Sequence, residues 1–272
     1  MAITREHRAI PRPTDGAMEA SLARPRTSSA LGTSSACGAR ATPLPRSTRV
    51  GGTLVLLAGL LAGCQPYVQG NGVYLEERRS NVASFAGLHV ESGVEVTVTA
   101  GAAVQSVTVS GDANVVPFIE TQVQTDGGRQ VLHVWISTAF GGTIPPRAVV
   151  EVPSFEYVLA TEASRVNAKK VAATSFVVVA DQGSNVVLEG AAAPAGESMD
   201  VKLSTRALLD ATAYAVSRTA SVDLTSASIA RLHSDGPVTG TVTGGSQLDN
   251  LHGTGSCSAV VVDGTSTVRC PP

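Results

Sequence analysis

Ala163-Ser164-Arg165-Val166-Asn167 is answered twenty residues later by Gly183-Ser184-Asn185-Val186-Val187. Each stretch is a small-residue corner that leads into a short apolar strand. Thr219-Ala220-Ser221-Val222-Asp223 and Asp235-Gly236-Pro237-Val238-Thr239 read as the same unit. Leu232-His233-Ser234-Asp235-Gly236 returns as Leu251-His252-Gly253-Thr254-Gly255 at an offset of 19. One unit of this size has no core of its own; stacking on its neighbours makes one. A coil of roughly 20 residues with several short sides, its strands about 4.8 Å from the next coil's, describes a parallel β-solenoid.

Before this zone, from about Asn71 to Val152, strands are marked one by one. Leu88-His89-Val90 and Val94-Glu95-Val96-Thr97-Val98 flank the turn signal Glu91-Ser92-Gly93. Val94, Val96 and Val98 alternate with Glu95 and Thr97, which predicts one buried and one wet face. Val107-Thr108-Val109 precedes the turn Gly111-Asp112-Ala113-Asn114. Val131 to Ile136 follows Asp126-Gly127-Gly128, and Val149-Val150-Glu151-Val152 stops at Pro153. Past Cys64 no stretch carries a helical stripe with caps at both ends. With 27 Gly, 15% charged and 4% aromatic residues, the chain is expected to be all-β. After Phe176 the only aromatic residue is Tyr214, which suits a narrow core of Val, Leu, Ala and Ile. Phe85, Phe118, Trp135, Phe140, Phe155 and Tyr157 suggest a thicker N-terminal β-rich cap region, with Trp135 in its core.

Thr53 to Leu60 is an apolar run closed by Leu61-Ala62-Gly63-Cys64, with Arg46 and Arg49 ahead of it. It resembles a bacterial lipoprotein signal with its lipobox. Gly51 to Gly63 is too short for a bilayer, which needs about 20 residues. The resemblance implies cleavage before Cys64 and lipid attachment at that residue, so that acyl chains provide the tether. Residues 1–50, rich in Arg, Pro, Ser, Thr and Ala, cannot bury enough surface to fold; they read as a disordered extension or one added by a misassigned start codon. The expected organisation is therefore 1–50 extension, 51–63 signal, 64–70 linker and 71–272 a single solenoid domain. From Cys64 onward the chain holds 12 basic and 19 acidic residues, a net −7. That acidity argues against nucleic acid as a partner and against electrostatic binding to anionic lipid heads.

Arg79-Ser80-Asn81-Val82-Ala83-Ser84-Phe85-Ala86-Gly87-Leu88-His89-Val90 resembles the opening of a head GIN domain protein, a family labelled putative auto-transporter adhesin. Two valine-rich strands around a Gly follow, as in Val90 to Val98. The family's Gly-Asp-x-Asn turn matches Gly111-Asp112-Ala113-Asn114, and its Gly-Ala/Ser-Ser-x-Val corners match Ala163 to Val166 and Gly183 to Val186. The resemblance covers about residues 70 to 265. It implies a right-handed β-helix on a bacterial cell surface, often lipid-anchored, and offers no catalytic residues to carry over.

Cys257 and Cys270 are an even pair in an exported chain and are expected to form a disulfide near the C-terminal coil. His233 and His252, stacked by 19-residue coils with Asp235 nearby, are candidate ligands for a divalent transition metal, against the simpler reading of an exposed corner ladder. Asp181, Asp200, Asp210, Asp223, Asp235, Asp249 and Asp263 could serve calcium binding or acid–base chemistry, but Asp at a corner is more often a turn residue. No Gly-x-Ser-x-Gly elbow, phosphate loop or Cys-x-x-Cys pair is present. Lys169, Lys170, Arg206, Arg218 and Arg231 recur through the repeats as a stripe or as solvated corners. The expectation is a non-enzymatic, lipid-anchored envelope adhesin or scaffold, on the outer membrane or a periplasmic or cell-surface face. It would need no cofactor and would present polar faces to a surface polysaccharide or a protein. The alternatives are a structural envelope protein and a β-helix polysaccharide lyase or hydrolase.

Overall fold

The structure is a computed structural model that describes residues 67–191 and 196–271. These fall within one compact unit, Gln65–Pro272. Cys64, the apolar run before it and the extension lie outside the described residues. The described chain is all-β, with one single-turn 3-10 helix at Val116–Phe118. Its first nine strands are β1 (Tyr67–Gln69), β2 (Tyr74–Arg78), β3 (Gly87–Val90), β4 (Glu95–Ala100), β5 (Ser106–Asp112), β6 (Ile119–Asp126), β7 (Arg129–Ile136), β8 (Ala139–Gly141) and β9 (Arg147–Val152). Six strand pairs follow: β10 (Tyr157–Ala160) with β11 (Arg165–Val171), β12 (Ser175–Ala180) with β13 (Asn185–Gly190), β14 (Ser198–Leu203) with β15 (Leu208–Val216), β16 (Thr219–Leu224) with β17 (Ile229–Ser234), β18 (Val238–Val242) with β19 (Gln247–Asp249), and β20 (Ala259–Val262) with β21 (Thr267–Arg269).

From β10 onward the chain alternates between two sheets. Even-numbered strands join a nine-stranded sheet ordered β20-β18-β16-β14-β12-β10-β3-β7-β6. Odd-numbered strands join a ten-stranded sheet ordered β2-β5-β9-β4-β11-β13-β15-β17-β19-β21. All pairings from β10 to β21 are parallel. β3 and β4 lie directly against β10 and β11, while β7 and β9 lie beyond them. From β3 and β4 inside the stack, the chain therefore runs out to its end through β5–β9 and returns to pair β10 and β11 with β3 and β4. Antiparallel strands close that end: β6 on β7, β5 on β9 and β2 on β5.

Register fixes the repeat. Arg165, Asn185, Leu208, Ile229, Gln247 and Thr267 stand opposite one another in turn, giving steps of 20, 23, 21, 18 and 20 residues. Pairs of residues with left-handed backbone make the corners. They are Glu162 and Ala163 (φ 54° and 59°), Gln182 and Gly183 (52° and 74°), Thr205 and Arg206 (49° and 65°), Ser226 and Ala227 (55° and 62°), and Gly244 and Gly245 (67° and 76°). Two successive positive-φ residues reverse the chain within a single turn. The corners also bond to one another: Ala163 N donates to Gln182 O (3.0 Å), Gly183 N to Thr205 O, Arg206 N to Ser226 O and Ala227 N to Gly244 O (2.9 Å each). The stretches Thr219–Asp223 and Asp235–Thr239 do not continue this series. They feed β16 and β18 in the other sheet, where Ala220 faces Val238. Small polar residues flank strands of both sheets, so composition alone merges the two.

Alternation buries one residue in two. One inward row runs Val96, Val166, Val186, Leu209, Ala230 and Leu248, each at most 2% exposed. Phe155, Phe176 and Tyr214 add an aromatic column, with centroids 5.4 and 5.9 Å apart. Tyr214 enters where β15 carries three extra residues between Ala211 and Ala215; its hydroxyl donates to Ala173 O at 2.9 Å. Trp135 is not in this core. Leu132, Val134 and Ile136 point inward, so Trp135, one residue out of phase, sits half-buried on the outer face.

The Gly111–Asn114 motif ties the capping end together. Buried Asp112 accepts hydrogen bonds from Gly72 N (2.6 Å) and Ile144 N (3.2 Å). Asn114 accepts from Asn71 N (3.0 Å) and donates to Gln69 O (2.6 Å). At the opposite end, Cys257 and Cys270 are joined as a disulfide with Cα atoms 6.1 Å apart. Beside it Val261 and Val262 remain exposed on the last strand of the nine-stranded sheet. No helix among the described residues is long and apolar enough to cross a membrane.

Candidate functional site

β3 and β7 carry the same tripeptide, Leu88-His89-Val90 and Leu132-His133-Val134, and pair in parallel with these residues directly opposite. The Leu and Val side chains fill the core and are fully buried. Alternation therefore turns both histidines outward onto one spot of the sheet. Their rings stack with centroids 4.3 Å apart and 7° between planes. Trp135 packs against His133, centroid to centroid 4.3 Å, tilted by 32°.

Glu91 leaves β3 at the corner with Ser92 and Gly93 and brings its carboxylate across both rings. Its Oε1 lies 2.9 Å from His89 Nε2, and its Oε2 lies 3.3 Å from His133 Nε2. Both Nε2 atoms are buried, and neither makes a hydrogen bond, although each lies close to a Glu91 oxygen. Three donor atoms thus gather within 4.8 Å. Glu162, in the next corner along, accepts from Ser92 N (3.2 Å) and Ser92 Oγ (3.4 Å). Burial pushes the pKa of His89 below 6.5 and the neighbouring His133 pushes it further down, while Glu91, Asp126 and Glu162 oppose the shift.

The residues marked in the sequence sit elsewhere and do not form a ligand set. His233 is half-buried on β17 with Nδ1 3.3 Å from Thr212 O. His252 is exposed in the loop after β19. Asp235 Oδ1 is engaged by Thr254 N (3.0 Å) and Thr254 Oγ1 (3.1 Å). The 19-residue offset is real here, because Thr254 bonds to Asp235 across 19 positions, but it stacks turns instead of converging donors. Among the described residues, His89, Glu91 and His133 are the group of three such donors that come together. The signal that would have found them is the doubled Leu-His-Val, 44 residues apart.

Several marked aspartates are taken up by backbone amides. Asp181 accepts from Gln182 N (2.7 Å), Asp210 from Thr212 N (3.2 Å) and Asp263 from Gly244 N (2.7 Å). Asp263 also accepts from Thr265 and Ser266, and these bonds hold its carboxyl far below the usual carboxylate range. Arg218 and Arg231 approach Glu197 (3.4 Å) and Asp210 (4.0 Å), so they do not form a free cationic stripe.

A second feature is a shallow depression on the outer face of the ten-stranded sheet. Glu95 lies between Arg147 (3.0 Å) and Arg165 (3.4 Å), with Asn167 and Asn185 alongside. The amide oxygens of both asparagines are buried with no hydrogen-bond partner in the protein.

A search of the curated proteins returns no match. Among solved structures, a putative adhesin from Bacteroides fragilis is similar with 13% identity and TM-score 0.53, over 75% of this chain and 100% of that one. A putative adhesin from Parabacteroides distasonis matches at 13% identity and TM-score 0.48, over 75% and 97%. A protein of that species described as a putative lipid binding protein matches at 10% and 0.45, over 76% and 100%. At such identities the first likeness speaks for a shared fold. The family model for the putative auto-transporter adhesin, head GIN domain, matches residues 84–253, a span that holds the doubled tripeptide, the Gly-Asp-x-Asn turn and most of the corners; the chain belongs to that family.

Proposed function

We propose that this chain is a non-enzymatic binding protein of the bacterial cell envelope, tethered by lipid at Cys64, with its alternating strands wound as a right-handed β-solenoid. Parallel strands joined through a second layer favour right-handed crossovers. The polar face of the ten-stranded sheet binds a polyhydroxylated polymer. The observation that carries this reading is the pair of buried, unpartnered amide oxygens on Asn167 and Asn185. An acceptor buried without a donor costs about 1–3 kcal/mol, which a ligand hydroxyl recovers. Arg147, Glu95 and Arg165 continue the same polar row across three adjacent strands. Each contact is weak, and many copies on one membrane raise the avidity. Membership of an adhesin family supports the envelope location.

The test has two arms. Purified protein is run against arrays of bacterial surface polysaccharides, with Asn167→Ala and Asn185→Ala beside it. Binding to at least one polymer, weakened in both variants, is expected. Equal binding by the variants, or binding to none, rejects the face. Separately, Cys64→Ser is expected to move the protein from the membrane fraction to the soluble fraction; an unchanged distribution rejects the tether.

A further inference from the structure

We propose that His89, Glu91 and His133 form a binding site for a divalent late transition metal, with zinc as its best fit. The argument begins with the two buried imidazole nitrogens. A buried polar atom without a hydrogen bond calls for a partner, and here two of them face one carboxylate from 2.9 and 3.3 Å. Metal–ligand bonds of about 2.0–2.1 Å place the ligands of a tetrahedral ion about 3.3 Å apart, and those of an octahedral ion about 2.9 Å apart. The nitrogen–oxygen separations already span that range.

The donor set selects the metal. Two imidazoles with one carboxylate suit zinc, copper or nickel, whereas calcium and magnesium prefer all-oxygen cages. Glu162, held over the same corner by Ser92, adds negative charge beside the cation. The rings stack almost parallel at 7°, so binding requires them to hinge toward one ion. Their strands are locked by Leu88, Val90, Leu132 and Val134 in the core, which leaves this motion to the side chains. Three protein donors leave a tetrahedral ion one open position. Glu91 is only partly covered, its side chain 30% exposed, so that position faces solvent on the outer wall. The site needs neither the lipid tether nor the polymer-binding face.

Trp135 supplies the readout. It is the chain's one tryptophan and packs on His133. The untagged full chain, freed of metal by chelator, is titrated with zinc chloride by calorimetry and with copper(II) by tryptophan fluorescence. One zinc per chain at micromolar concentration or tighter is expected, with copper quenching Trp135. His89→Gln and His133→Gln are expected to weaken zinc binding by about 10-fold or more, and Glu91→Gln by a smaller factor within the same range. Far-ultraviolet circular dichroism of each metal-free variant verifies that it is folded. Glu91→Gln, at a solvent-facing corner, tests the site even where a histidine variant unfolds. His252→Gln is expected to bind zinc as the parent does. No zinc binding by the parent, undiminished binding by Glu91→Gln, or loss of binding in His252→Gln instead overturns the proposal.

Discussion

The capping end, β1 to β9, and the parallel strand pairs from β10 to β21 use the same short valine-rich strands but bring different residues together. In the parallel strand pairs, a side chain meets partners 18 to 23 positions away, and the inward row from Val96 to Leu248 stays apolar throughout. At the capping end the chain doubles back. There His89 meets His133, 44 positions on, and Gly87 meets Tyr157, 70 positions on. The parallel strand pairs therefore build a continuous apolar interior, while the excursion through β5–β9 gathers three donors and a tryptophan on one spot. His233 and His252, closer in sequence, do not converge with Asp235: His233 is half-buried on β17, while His252 is exposed in the loop after β19.

The largest expected effect separates core from wall. Phe176→Ala empties a fully buried ring site between Phe155 and Tyr214 and is expected to cost about 3–5 kcal/mol. Trp135→Ala removes a larger side chain from the half-buried outer face and is expected to cost about 1–2 kcal/mol, the range for partial loss of apolar burial. Urea denaturation of the two variants checks the ordering. A Trp135 variant as damaged as the Phe176 variant would place that ring in the core after all.

Next in size are the corners. Gly183 (φ 74°) has nothing within 4 Å of an added Cβ, so Gly183→Ala isolates backbone strain and is expected to destabilise by about 1 kcal/mol. Arg206 (φ 65°) holds the equivalent place in the next corner. Arg206→Gly is expected to stabilise by roughly 0.5 kcal/mol, relief of strain outweighing the greater freedom of the unfolded chain. Thermal melts of both variants measure the pair. Shifts of the same sign would show that these two corners are not equivalent.

The 20-residue step from Ala163 to Gly183 was legible because the corner and the strand after it use the same small and β-branched residues. The 23-residue step to Leu208 was not, since the link from β13 to β14 is longer than that from β11 to β12, and the extra residues Thr212 to Tyr214 in β15 disturb the step after it. Trp135 was misplaced by one step of phase: its neighbours Val134 and Ile136 carry the inward positions. The histidine pair stayed hidden for a topological reason. Nothing local in Leu88–Val90 says that Leu132–Val134 will lie beside it, since β4, β5 and β6 intervene and the chain reverses. The Gly-Asp-x-Asn turn was visible, but not its buried role in holding Gly72 and Ile144.

The smallest expected effect is a pH dependence confined to the capping end. His89 is stacked on His133, faces Glu91 and feels Asp126 and Glu162. Burial and His133 win, so its pKa in the folded protein lies below the ordinary 6.5. Between those two values the unfolded chain binds more protons than the folded one. Stability is therefore complete above 6.5, falls as the pH drops through the window beneath it, and levels off below the folded value. One full proton would give a slope of about 1.4 kcal/mol per pH unit. Partial solvation of the rings and the opposing carboxylates keep the expected slope to a fraction of that. Melting temperatures of the metal-free protein from pH 7.5 down to about 5, compared with His89→Gln, read the difference. The parent should lose stability faster than the variant on acidification. The reverse order would mean that Glu91 dominates and holds the imidazole charged.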